Sequence, residues 1–170
     1  RLIQLNFPEK EVYAVGDENT FKFLGQMDTI PDEFYKDALA IVVDVCVTFL
    51  VNDKRFLTAK EILVIDHHLN QPDFECHSII DPSHISSAGL IADIFIEKNY
   101  NFDSISATRF LTGIITDSGR FYYPYTSAQT LETAAFLIKQ GADLNWIYSQ
   151  IYIEDLNFKK LKGYFINNFK

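Results

Sequence analysis

Ile62-Leu63-Val64-Ile65-Asp66-His67-His68 is the stretch whose reading decides the fold. A short run of β-branched residues and leucine, bounded by polar residues, reads as a strand buried inside a parallel sheet. Ligands of open α/β sheets gather just beyond the carboxyl ends of such strands. An acid and two adjacent imidazoles fall at that end, where packing alone asks for none of them. The plain alternative is a polar strand-end cap with the histidines touching solvent.

Working outward, Ala40-Ile41-Val42-Val43-Asp44 repeats the pattern of an apolar run closed by an acid, and Ser78-Ile79-Ile80-Asp81-Pro82 gives one more short strand. Residues 11–15 read as a further strand closed by Gly16-Asp17, and residues 1–7 as the tail of a helix stopped by Pro8. Asp53-Lys54-Arg55-Phe56 has the look of a helical turn. From Ser83 onward the period becomes helical. Ser86 or Ser87, Asp103 or Ser104, Ser127 and Asp143 stand where N-caps belong, and Gly141 stops the third helix. The expected fold class is therefore α/β: a parallel sheet flanked by helices, with a helical C-terminal half.

Composition bounds the function. The 170 residues are 48% hydrophobic and 15% aromatic, enough for one globular core. A formal net charge of -8 argues against a broad footprint on long nucleic acid, while small anions bridged by cations remain compatible. Cys46 and Cys76 have neither disulfide nor zinc spacing, which suits a reduced, cytoplasmic compartment. Residues 39–51, the longest apolar stretch, are too few to cross a bilayer and carry Asp44 in their midst, so no membrane partner is expected.

Three segments, in order, resemble the DHH phosphoesterases: Val42-Val43-Asp44, then Ile65-Asp66-His67-His68 with Asn70, then Thr112-Gly113-Ile114-Ile115-Thr116-Asp117-Ser118-Gly119-Arg120-Phe121. The third is the most specific. Within that superfamily the chain is most similar to the MgpA-like branch, which contains bifunctional oligoribonucleases and pAp phosphatases. The resemblance implies a catalytic-type domain over residues 1–154 and the start of a linker helix to a second domain over residues 155–170. It implies two divalent ions in the intact protein, Mn²⁺ with Mg²⁺ as the alternative, held in part by Asp44, His67 and Asp117. Asp66 would orient an imidazole, His68 would contact the phosphate as proton donor, and Arg120 would bind a phosphate oxygen. The implied substrate is a short oligonucleotide or a nucleoside bisphosphate such as pAp, and a homodimer is compatible.

The pattern also departs from the family. No His-x-x-x-Asp-x-Asp precedes Asp44, so the segment alone is expected to be inactive, with an incomplete dinuclear ligand set and at most one weak metal site. Val47, Leu50 and Gly89 stand where other residue types are usual. Two rival readings follow: a degenerate domain that binds a nucleotide without cleaving it, and a pyrophosphatase or exopolyphosphatase-like activity.

Overall fold

In the computed structural model, residues 1–17, 21–152 and 156–169 are described. Three parallel strands form the sheet in the order β1 (Leu39–Val43), β2 (Glu61–Asp66), β3 (His77–Ile80). The register sets Val42 beside Val64 and Ile65 beside Ile79. Asp44, Asp66 and Asp81 thus all leave the sheet at its carboxyl edge. Backbone bonds tie them there: Asp44 N donates to the Ile65 carbonyl (3.1 Å) and Asp81 N to the Asp66 carbonyl (3.0 Å).

The middle strand is the apolar run read first from the sequence, and Val64, Ile65 and Asp66 at its end are buried. Expectation and structure part at β1. It lies at the sheet edge among the described residues, not in the interior. Ala40 and Val42 face a cluster built by Tyr35, Cys46, Phe56 and Val64, while Leu39, Ile41 and Val43 on the other face are about half exposed. Residues 11–15 are not a strand either. Ala14 is tied instead to Asp28, whose N–H donates to the Ala14 carbonyl and whose carboxylate accepts from Ala14 N. A loop carboxylate there takes the place of a ladder partner. The expected helical crossovers shrink likewise: between β1 and β2 there is only a 3-10 turn, Lys54–Thr58, capped by Asp53, and no helix separates β2 from β3.

The helical half follows its caps. Helix α1 is the short Leu2–Asn6. Ser86 Oγ accepts from Gly89 N to open α2 (Ser87–Glu97). Asp103 and Ser106 form a capping box on α3 (Ser104–Asp117), and Ser127 and Thr130 form another on α4 (Ala128–Lys139). Asp143 caps α5 (Leu144–Ile151). Leu111, Ile114, Ile115, Leu137 and Ile147, all fully buried, make the core these helices share. The last helix, α6 (Leu156–Asn168), buries no residue. No helix among the described residues is long and apolar enough to cross a membrane.

Helices α2 and α3 meet at Gly113. A Cβ there would stand 2.6 Å from the Ala88 Cβ, closer than any real contact, so the glycine sets how near α3 lies to α2. Gly113→Ala sets two effects in opposition. Alanine gains about 1 kcal/mol of helix propensity, whereas overpacking a tight contact costs about 1–3 kcal/mol. The rigid neighbour is itself a Cβ, so the clash should win. Urea denaturation should show a net loss for Gly113→Ala, largely restored by adding Ala88→Gly.

Candidate metal and phosphate site

Three chain segments converge at the carboxyl edge of the sheet. Asp44 is the first residue past β1 and takes a left-handed backbone (φ 67°). Aspartate tolerates that region at a cost of about 1–2 kcal/mol, which the flanking bond to Ile65 must offset. The bend turns its carboxylate toward the end of β2, where Oδ1 lies 3.5 Å from His67 Nε2. Strain of this kind is concentrated at functional sites.

Asp66 is the buried member, 1% exposed. Its Oδ1 accepts from His68 N (3.1 Å) and lies 2.7 Å from His68 Nδ1. Burial opposes its charge, but the ring and backbone N–H of His68 outweigh that and hold the acid below the usual carboxylate range. Its Oδ2 is buried without a hydrogen-bond partner. The buried Cys46 thiol lies near enough to act on Asp66 and helps hold the acid down. Burial first and then Asp66 push that thiol up to about 11, so it stays protonated.

Asp44, Asp66, His67 and His68 each offer a ligand atom, and these four atoms lie within 4.8 Å of one another. The two imidazoles sit side by side, ring centroids 4.2 Å apart. Two acids and two imidazoles whose ligand atoms come this close are a donor set that suits a hard or borderline divalent cation. The residues present fit a metal ion.

Asp117 comes from the opposite side, as the last residue of α3. A carboxylate at a helix C-terminus meets the negative end of the helix dipole, an unfavourable position that capping does not explain. Burial first, and then the charge of Asp44, push Asp117 above the usual carboxylate range, with His67 and His68 partly offsetting them. It therefore faces the same cluster, outside the four-residue group. After it the chain makes a left-handed turn, φ 55° at Gly119, 66° at Arg120 and 63° at Phe121. Buried Ser118 holds that turn: its Oγ accepts from Phe121 N, and its carbonyl accepts from Tyr122 N and Tyr123 N.

Of the residues picked out by sequence, Asp44, Asp66, His67 and His68 come together and Asp117 faces them. Arg120 does not join them; its guanidinium is stacked over the Tyr152 ring, 4.9 Å from the centroid. Asp66 orients His68, not His67. The His67 ring is oriented instead by a residue the sequence did not flag, His84, whose carbonyl lies 3.3 Å from His67 Nδ1. No signal local to His84 marks it, because the contact uses its backbone.

No family model matches the chain. Curated relatives do. The chain is 30% identical over 171 residues to the bifunctional oligoribonuclease and PAP phosphatase NrnA of Bacillus subtilis, covering 98% of the chain and 55% of the relative. It is 35% identical to the protein of the same name from Mycoplasma genitalium, covering 99% and 55%. The chain thus spans about half the length of the curated relatives it matches. Among solved structures, an exopolyphosphatase-related protein from Bacteroides fragilis superposes with a TM-score of 0.73 at 24% identity, over 81% of this chain and 42% of that one. That likeness concerns the fold.

An acid whose pKa is raised in the folded state destabilises the fold in its charged form. The cost of Asp117 is absent below its unfolded pKa and complete above its folded one, so stability falls as pH rises through that window. Asp117→Asn should therefore raise the thermal midpoint of the metal-free protein at pH 7, and the gain should vanish as pH drops below the ordinary carboxylate range. A variant less stable than wild type at pH 7 contradicts this account of Asp117.

Proposed function

The chain belongs to the DHH phosphoesterase family over nearly its whole length, and from that premise we propose that it is part of a metal-dependent phosphoesterase acting on short oligonucleotides or pAp. The observation that supports this most is the cluster of Asp44, Asp66, His67 and His68 at the carboxyl edge, with Asp117 opposite. Asp44 and His67 Nε2 would hold the ion, with Asp117, which faces them from the end of α3, as the third ligand. Manganese is the ion we assign, since carboxylates mixed with imidazole suit it, and magnesium is the alternative. Such an ion, when bound, supplies Lewis acidity toward phosphoryl oxygens and makes water a better nucleophile at neutral pH.

The protein groups divide the remaining work. With its Nδ1 engaged by Asp66, the His68 ring has a fixed orientation and one free nitrogen, Nε2. The ring is half exposed, so Nε2 can meet a phosphate oxygen and pass a proton to the leaving alcohol. Asp66 keeps its charge and fixes the orientation of that imidazole. Arg120 would reach a phosphate only by leaving Tyr152, so its substrate contact is a part of the proposal that requires movement.

The domain reading belongs to the same proposal: residues 1–154 form the catalytic-type domain, and residues 155–170 start a linker. An α6 whose Leu156, Phe158, Tyr164, Phe165 and Ile166 are all exposed is in keeping with a helix that leaves the domain. A reduced cytoplasmic setting suits the two free thiols. Two copies associating as a homodimer are compatible with these exposed apolar residues.

The test uses the full-length protein, pAp and a ribodinucleotide. Wild type should hydrolyse at least one of them, lose activity on chelation and regain it with Mn²⁺. His67→Ala and Asp117→Ala should each fall by about 100-fold or more, the scale expected when several kcal/mol of charge stabilisation is lost. Full activity in Asp117→Ala rejects the site. Tight binding of pAp with no turnover would favour the non-cleaving domain.

A further inference from the structure

The His67 ring must present Nε2, not Nδ1, toward Asp44, and a free imidazole has no strong reason to choose. The choice is set by whatever bonds the other nitrogen. That partner is the His84 carbonyl, 3.3 Å from His67 Nδ1. A carbonyl can only accept, so the contact requires the proton on Nδ1 and leaves the Nε2 lone pair aimed at the cluster.

What holds this carbonyl in place is the His84 side chain. Its Nε2 lies 3.1 Å from Asp93 Oδ2, and because a carboxylate accepts, Nε2 carries the proton. Asp93, on α2, is itself fixed by two residues of α4: Thr133 Oγ1 donates to Oδ1 at 2.5 Å, and Gln129 Nε2 donates to Oδ2 at 3.1 Å. On the other side, Asp81 Oδ2 stands 3.2 Å from His84 Nδ1, a charge contact without hydrogen-bond alignment. Asp81 also accepts from Ser83 N and Ser83 Oγ, closing a tight turn directly after β3. A cavity of about 210 Å³, with Ile85 and Ile114 as well as Ser83, His84, Asp93 and Thr133 in its lining, adjoins this network. None of these groups reaches the cluster through a side chain.

We propose that His84 is a positioning residue: clamped by Asp93 from α2 and, through it, by α4, it presents its backbone carbonyl to His67 Nδ1 and so commits His67 Nε2 to metal. Helices α2 and α4 thereby set the tautomer of His67 through a backbone carbonyl. The proposal rests on the metal reading of the cluster, and its first readout does not.

That readout is the imidazole nitrogen spectrum of His67 in the metal-free protein by ¹⁵N NMR, at mildly alkaline pH. Wild type should show one tautomer with the proton on Nδ1. His84→Ala should give a mixture of both tautomers, and Mn²⁺ titrated by calorimetry should bind about 10- to 100-fold more weakly than to wild type, the usual cost of losing an outer partner of a metal ligand. His84→Gln, whose amide can still donate to Asp93, should restore the single tautomer and most of the affinity. A His67 ring unchanged in His84→Ala overturns the proposal. If His84→Ala does not fold, His84→Gln decides alone: one tautomer supports the role and a mixture overturns it. If wild type binds no Mn²⁺ while the tautomer responds as described, positioning stands and the metal reading fails.

Discussion

Everything at this site depends on the burial of one carboxylate. Asp66 ends the most enclosed strand of the sheet, 1% exposed, with a single oxygen satisfied by its neighbour His68 and the other without a hydrogen-bond partner. Leaving a buried charged oxygen unpaired costs more than leaving a neutral polar atom so, and apolar residues at that position would pack without penalty. The fold tolerates the cost because β2 is flanked on both sides and the Asp66 carbonyl still continues the ladder to Asp81. A cation held beside this carboxylate would turn the liability into an attraction. Asp117 differs in that nothing outweighs its penalty: burial and the charge of Asp44 push it up, and it sits at the negative end of a helix. A buried acid kept charged by His68 and a second acid whose charge the fold disfavours, facing one cluster, are poor architecture for a scaffold and good architecture for an ion site.

The positions of these groups follow from how parallel sheets are built. Strands that run the same way end at the same edge, so three acids that terminate three apolar runs must become neighbours, however far apart in the chain. The helix that brings Asp117 approaches closely because Gly113 lets α3 lie against Ala88 of α2. The left-handed turn held by Ser118 then directs the chain away immediately after the acid. Most of the 112–121 segment thus has a physical role: approach at Gly113, charge at Asp117, exit at Ser118 and Gly119.

Much of this was legible from residues alone, and the reasons differ by element. Strand β2 could be read because burial on both faces leaves no polar residue inside it, and the caps at Ser86, Asp103, Ser127 and Asp143 because capping is a local bond between near neighbours. Residues 11–15 misled, since Val12, Tyr13 and Val15 favour a strand while only a neighbouring edge makes one. The exposed face of β1 could not be read, because Leu39, Ile41 and Val43 look the same whether or not something covers them. The stacking of Arg120 on Tyr152 joins residues 32 positions apart. His84 was invisible for a deeper reason: it acts through a carbonyl, and every residue has one.

The central claim is that the end of β2 and the start of the β1 loop form a cation site. Crystals of this chain grown with Mn²⁺ and measured at the manganese absorption edge test it most directly. The account predicts an anomalous peak bonded to an Asp44 oxygen and His67 Nε2. Manganese found only elsewhere on the surface, or no peak at the carboxyl edge with both side chains ordered, would contradict it.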